Sequence, residues 1–275
     1  FFTAALFVTS LTVISQSSLK SITLEDIWQK GTFRTERMNE LNSMNGDFYT
    51  LLNMNRVSGT TSVDKYAYAT LEKVETIVDS KDLKGLPYFE SYVFSSDETK
   101  LLLKTESEPI YRHSEFADFF VYDIATKSLQ KVADAKVQEA TLSPDNQKIA
   151  YVFQNNIYIQ NLLDGKVTQV TFDGEKNKII NGITDWVYEE ELGFVRAFEW
   201  NADGTSLAFL RFDETEVPEY TMAHYGEELY PETITFKYPK AGEKNSIVTL
   251  HLYDLTTQKT EKIELGAYEY IAKIQ

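Results

Sequence analysis

Short apolar stretches broken by polar turns run through most of this chain. One unit appears as Met44-Asn45-Gly46-Asp47-Phe48-Tyr49 and again as Phe94-Ser95-Ser96-Asp97-Glu98-Thr99-Lys100-Leu101-Leu102. It returns as Leu142-Ser143-Pro144-Asp145-Asn146-Gln147-Lys148-Ile149-Ala150-Tyr151 and as Trp200-Asn201-Ala202-Asp203-Gly204-Thr205-Ser206-Leu207-Ala208-Phe209. Gly46, Asp97, Asp145 and Asp203 mark the copies, which recur about every 50 residues; several strands per period of that size predict propeller blades. A second echo, Val121-Tyr122-Asp123-Ile124-Ala125-Thr126-Lys127 against Leu252-Tyr253-Asp254-Leu255-Thr256-Thr257-Gln258-Lys259, reads as a strand entering a hairpin turn. Alternation is clear in Ile157-Tyr158-Ile159-Gln160 and in Ser246-Ile247-Val248-Thr249-Leu250-His251-Leu252. A β-sandwich is the rival all-β reading, and the regular period speaks against it. Ahead of the strands, Ser21-Ile22-Thr23-Leu24-Glu25-Asp26-Ile27-Trp28 predicts a short helix with Thr23 as its cap.

Three excursions interrupt the period. The longest gap, between Asp145 and Asp203, contains Asp185-Trp186-Val187-Tyr188-Glu189-Glu190-Glu191 and reads as an insertion between strands. Residues 105–116 carry Arg112, and residues 213–245 carry Pro218, Pro231 and Pro239; both read as irregular. Loops on a rigid sheet are where binding groups concentrate. Asp185 suits a helix N-cap, and glutamates favour the first turn because the helix dipole is positive there. Successive helix positions diverge by about 100°, so Glu190 and Glu191 point apart yet both reach a cation lying between them. On composition alone the triplet is a solvated acidic turn.

Asn181-Gly182-Ile183-Thr184-Asp185-Trp186-Val187-Tyr188-Glu189-Glu190-Glu191 resembles the double-glutamate motif of the dipeptidyl peptidase IV family, serine peptidases related to prolyl oligopeptidase, in a bacterial-type form. Tyr111-Arg112-His113-Ser114 before it, and Asp213-Glu214-Thr215-Glu216-Val217-Pro218 and Tyr238-Pro239-Lys240-Ala241-Gly242 after it, stand in family order. The resemblance runs from about residue 22 to the end. It implies an all-β chain that forms the first four or so blades of an eight-bladed propeller, with a C-terminal α/β-hydrolase domain outside the chain. It assigns Glu190 and Glu191 to the α-ammonium of a peptide substrate, and Arg112 to the carbonyl oxygen of the second residue from the scissile bond. Two adjacent carboxylates repel until a cation neutralises them, and an ammonium does so through charge-assisted hydrogen bonds. A clamp at a fixed distance from the serine measures off two residues, giving an exopeptidase that releases Xaa-Pro or Xaa-Ala dipeptides.

For Arg112 the plain alternative is a loop salt bridge with Glu106, Glu108 or Glu115. Glu189 is expected to face away, capping or solvated, His113 to be a structural neighbour, and Trp186 and Tyr188 to pack and stiffen the glutamate turn. Leu192-Gly193-Phe194-Val195-Arg196 departs from the longer join of several relatives, which leaves the residue preference and a tripeptidyl alternative open.

No Gly-x-Ser-x-Gly elbow occurs. The three histidines, His113, His224 and His251, include no His-x-x-x-His pair, so neither a catalytic triad nor a metal or other cofactor is expected within these residues. By itself the chain is expected to be inactive. A non-catalytic propeller that binds peptides or a partner protein is the reading from a different class. The partners implied are peptides with a free N-terminus, the chain's own hydrolase domain and, by analogy, a second copy in a homodimer.

The 275 residues, 43% of them hydrophobic, suffice for a large core, and 17 Tyr and 17 Phe against 12 Gly and 6 Pro suit strands better than linkers. A net charge of −15 excludes a basic nucleic-acid footprint and favours a cationic ligand. With no Cys there is neither a disulfide framework nor a thiolate metal site. Residues 1–14 are largely apolar and lead into Ser15-Gln16-Ser17-Ser18, which reads as a signal peptide over 1–18, trimmed at its start. It is short of the roughly 20 apolar residues of a comfortable span. Residues 19–40 then form a lead-in and 41–275 the propeller portion. Export, to a periplasm, is expected, with a membrane anchor as the alternative if the segment is not cleaved.

Overall fold

A computed structural model of the chain describes residues 21–35, 38–266 and 268–274; the segment read as a signal peptide lies outside them. The residues up to Met38 form a unit of their own. In it Thr23 caps α1 (Leu24–Trp28) reciprocally: its hydroxyl accepts from the Asp26 N–H, and the Asp26 carboxylate accepts from the Thr23 N–H. The expected helix and cap are both present.

From Asn39 onward the described residues form four successive antiparallel sheets. The first holds β1 (Asn39–Ser43), β2 (Phe48–Asn55), β3 (Thr60–Ala67) and β4 (Lys73–Asp79). The second holds β5 (Ser91–Phe94), β6 (Lys100–Pro109), β7 (Glu115–Asp123) and β8 (Leu129–Lys131). The third holds β9 (Gln138–Leu142), β10 (Lys148–Phe153), β11 (Asn156–Asn161) and β12 (Val167–Gln169). Each of these is a meander in sequence order, as a propeller blade requires.

The fourth sheet starts with β13 (Ile179–Asn181), β14 (Phe198–Trp200) and β15 (Ser206–Asp213). A separate hairpin, β16 (Glu219–His224) with β17 (Glu232–Lys237), follows, and the sheet resumes with β18 (Ile247–Asp254) and β19 (Lys259–Ile263). Residues 213–245 are therefore not irregular as expected: β16 and β17 pair continuously from Glu219 opposite Lys237 to His224 opposite Glu232. The hairpin is largely exposed, which removes the apolar-in, polar-out alternation that betrays a strand in sequence.

Side chains alternate across each strand, so a central strand feeds two cores. Leu101 and Leu103 of β6 pack with Val63 and Val78 of the first sheet, and Leu102 packs with Ile149 and Tyr151 of the third. Ala150 and Val152 of β10 turn the other way, toward Phe198, Leu207 and Phe209 of the fourth sheet. Every sheet thus closes a face of its neighbour, and each fully buried leucine or phenylalanine contributes about 2–3 kcal/mol.

The marks of the sequence period fall in the turns β1–β2, β5–β6, β9–β10 and β14–β15. In the last three an aspartate side chain accepts a main-chain N–H two residues on: Thr99 to Asp97, Gln147 to Asp145 and Thr205 to Asp203, each at 3.1 Å. Glu98, Asn146 and Gly204 all take the left-handed conformation in between. Successive turns are also tied together: Asn45 N–H donates to Glu98 (2.6 Å), Ser96 N–H to Asn146 (3.1 Å) and Lys148 Nζ to the Gly204 carbonyl (3.4 Å). The second echo is likewise a shared turn, with Asp123 accepting from Thr126 N–H and Asp254 from Thr257 N–H. Among the described residues no helix is long and apolar enough to cross a membrane.

Candidate functional site

The glutamate triplet sits where one strand of the fourth sheet is split. β13 and β14 pair with the same edge of β15, Ile180 opposite Phe212 and Phe198 opposite Phe209. Residues 182–197 leave that edge between them as a loop and helix α2 (Trp186–Leu192). Gly182 makes the exit, with φ +78°; a Cβ there would lie 2.7 Å from Ile157 Cγ1, so both conformation and space call for glycine. The loop is stitched shut behind the exit, Gly182 N–H donating to the Leu210 carbonyl and Ala197 N–H to the Gly182 carbonyl.

Asp185 caps α2, as expected, accepting from the Tyr188 N–H at 3.0 Å, and Gly193 ends the helix with φ +72°. The other Asp185 oxygen accepts from the Ser246 hydroxyl at 2.5 Å. Burial raises the Asp185 pKa, and these hydrogen bonds oppose the shift. Tyr188 is buried edge-on against Phe212, and its hydroxyl accepts from the Ile271 N–H at 2.8 Å. Trp186 packs on Tyr238, ring centroids 4.4 Å apart. The packing roles expected of Trp186 and Tyr188 agree with this geometry.

Arg112 comes from the second sheet. β6 and β7 form a long hairpin with a register shift between Thr105 and Glu108, closed at its tip by Ile110 N–H to the Ser114 carbonyl. That tip lies on α2. Arg112 Nε is 3.2 Å from Glu190 Oε2, with the arginine side chain 72% exposed and the glutamate 14%. Glu191, beside it, is exposed. The structure therefore brings Arg112 and Glu190 together. The acids considered as loop partners of Arg112 are engaged elsewhere: Glu108 with Lys136, Glu115 with Lys104 and Glu106 with the Tyr88 hydroxyl.

Glu189 is neither solvated nor a cap of its own helix, the two roles expected of it. It is 1% exposed, and its Oε1 accepts from the main-chain N–H groups of His113 (2.7 Å) and Ser114 (2.8 Å). Two backbone donors replace the water a charge run normally keeps, and they come from a hairpin some 75 positions away, which no local pattern discloses. His113 is indeed a structural neighbour, through its backbone. His251 stacks on Phe209 and is held below the usual histidine range by burial, while His224 lies exposed on β16.

Behind the tip and the helix lies a cavity of about 510 Å³, whose wall includes Tyr111, Ser114, Asp185, Trp186, Glu189 and Glu214. Arg112, Glu190 and Glu191 do not line it. Glu214 is buried there; burial and then the charge of Asp185 push its pKa up to about 7 against the pull of Lys237. Burial and the charges of Glu214 and Glu189 push the Tyr111 hydroxyl up to about 12. Glu214 carries no signal of its own in the sequence beyond its place in a segment that stands in family order. Among the described residues no group of His, Asp or Glu is arranged to hold a metal ion.

The family described as the dipeptidyl peptidase IV N-terminal region matches residues 95–275. Human prolyl endopeptidase FAP is 32% identical over 244 residues, covering 88% of this chain and 31% of that protein. A probable dipeptidyl-aminopeptidase B of Neurospora crassa is 40% identical over 177 residues, covering 58% of this chain and 19% of its own length. The crystal structure of Porphyromonas gingivalis dipeptidyl peptidase 4 superposes with a TM-score of 0.82 at 39% identity, over 92% of this chain and 36% of that one. The chain thus spans about a third or less of the length of these relatives.

Proposed function

The chain belongs to the dipeptidyl peptidase IV family, and we propose that it forms the substrate-binding, gating part of an exported serine exopeptidase that removes Xaa-Pro or Xaa-Ala dipeptides from peptide N-termini. Glu190 and Glu191 hold the substrate α-ammonium, and Arg112 holds a substrate carbonyl oxygen. The observation that carries this reading is the Arg112–Glu190 contact beside the exposed Glu191.

Charge counting supports it. Two carboxylates and one guanidinium leave a single negative charge at the tip of α2, which one ammonium neutralises. Glu190 engages the arginine through Nε, which leaves the outer guanidinium nitrogens of a mostly exposed side chain for a carbonyl oxygen. The rigid mounting of α2 favours precise placement of the N-terminus, and placement relative to a serine is what fixes dipeptide length.

The serine, histidine and aspartate of the reaction belong, on this reading, to an α/β-hydrolase domain that the propeller covers. The exposed β16–β17 hairpin, with Tyr220, Met222 and Ile234 at its surface, supports a homodimer in which it meets a second copy. Export of the protein completes the reading.

The test uses the full-length protein and a Gly-Pro chromogenic amide, with its N-terminus free or acetylated. Cleavage confined to the free amine is expected. Equal cleavage of both compounds contradicts an N-terminal clamp, and cleavage of neither by a folded protein favours a non-catalytic binding propeller.

A further inference from the structure

We infer that Glu189 is a positioning residue that assembles the clamp in advance, fastening the hairpin that carries Arg112 to the helix that carries Glu190 and Glu191. This rests on the clamp reading above, and it gives the first glutamate of the triplet a task distinct from the other two.

The geometry is a double cross-link between two short segments. Glu189 accepts from the N–H groups of residues 113 and 114, and the next glutamate, Glu190, meets the residue just before them, Arg112. With the main chain pinned immediately after Arg112, the start of its side chain is fixed against α2. Elsewhere the tip is closed by the Ile110-to-Ser114 hydrogen bond and steadied by Tyr111, which packs on Phe236 of β17 with ring centroids 5.8 Å apart. Neither contact reaches α2, and the arginine side chain is too exposed to be held by packing.

The platform to which the tip is fastened is itself anchored. Asp185 ties the start of α2 to Ser246, and Tyr188 ties its middle to Ile271. Glu189 extends that anchorage to the second sheet, so the three binding side chains keep one mutual geometry.

The chemistry of Glu189 points the same way. A carboxylate 1% exposed is costly to bury, and among the described residues no Lys or Arg pairs with it. Its compensation is the pair of main-chain donors at 2.7 and 2.8 Å. A surface loop with no fixed task would not need so expensive a tether. A side chain that orders a mobile arginine before substrate arrives lowers the ordering cost of binding, which appears in KM more than in kcat.

The experiment uses the full-length protein with Glu189→Ala and Glu189→Gln, reading amide hydrogen exchange and the kinetics of the free Gly-Pro amide. For Glu189→Ala, exchange at His113 and Ser114 should quicken and KM rise, each by roughly ten-fold or more, with kcat changing by less than about three-fold. Amides of β10 should keep their protection, reporting an intact fold. Glu189→Gln keeps one oxygen acceptor and should recover most of both losses. If Glu189→Ala does not fold, Glu189→Gln decides alone, with exchange at residues 113 and 114 a few-fold faster than in wild type while the amides of β10 are unchanged. Unchanged exchange at those two amides, or unchanged KM with faster exchange, overturns the inference. Amide exchange needs no substrate, so it separates the two claims: a tethered tip combined with no preference for the free amine would sink the clamp reading and leave the tether standing.

Discussion

Arg112 Nε stands 3.2 Å from Glu190 Oε2, although one residue sits at the tip of a second-sheet hairpin and the other on the helix inserted into the fourth sheet. The contact joins a largely exposed guanidinium to a largely covered carboxylate, so the arginine is the mobile partner and the glutamate the fixed one. Such a half-exposed pair adds little to stability, and its value lies in holding an orientation.

Arg112→Met keeps length and removes charge and donors. It should raise KM for the Gly-Pro amide by roughly 10- to 100-fold in the full-length protein, the range of a lost charged hydrogen bond, and leave the urea midpoint nearly unchanged. Arg112→Lys should fall between, because a single ammonium lacks the guanidinium fork. Steady-state kinetics beside urea unfolding give both readings.

The two glycines that bracket the glutamate segment should respond differently. Gly182→Ala meets Ile157 Cγ1 at 2.7 Å in a left-handed conformation and should cost about 3 kcal/mol. Gly193→Ala has the same backbone sign with nothing within 4 Å and should cost about 1 kcal/mol. Urea unfolding of both variants checks the difference.

The repeated turns and the Thr23 and Asp185 caps were legible in sequence because each turn or cap is set by residues a few positions apart. The partners of Tyr188, Phe212 and the Ile271 N–H, are distant, and only its packing role could be expected. The split of one strand into β13 and β14 was not, since both halves are short and their continuity exists only along β15. The burial of Glu189 was hidden for a related reason: its partners are backbone groups, which are the same whatever residue bears them. Arg112 was assigned loop acids as its alternative partners because they are near in sequence, whereas the fold folds the tip over α2. The β16–β17 hairpin looked irregular because an arm that is largely exposed has little core to impose alternation.

Asp185→Ala removes the cap of α2 and leaves the buried Ser246 hydroxyl without its acceptor. The expected loss is about 2–3 kcal/mol. Asp185→Asn retains an oxygen that can cap the helix and should lose about 1 kcal/mol. The urea midpoints rank the two variants.

Glu214 makes stability depend on pH. Its carboxyl, pushed up to about 7 from an ordinary 4.5 by burial and then by Asp185, keeps its proton in the folded state at pH values where the unfolded chain has lost it. The folded state therefore binds more protons between those values, and stability falls as pH rises through that window and levels off above it. The full difference is about 3 kcal/mol. Glu214→Gln has no proton to lose, so the variant should gain on the wild type by about that amount between pH 4 and pH 8. Urea midpoints at the two ends of the window test this.

The most direct measurement of the central claim is kcat/KM of the full-length protein on the free and the N-acetylated Gly-Pro amide, for wild type, Glu190→Gln and Glu191→Gln. Each substitution should lower the value for the free amine by roughly 100-fold and leave the acetylated compound at its low wild-type rate, so that the preference collapses. A folded Glu190→Gln or Glu191→Gln protein that still prefers the free amine as strongly as wild type would contradict the assignment of these two carboxylates to the substrate ammonium.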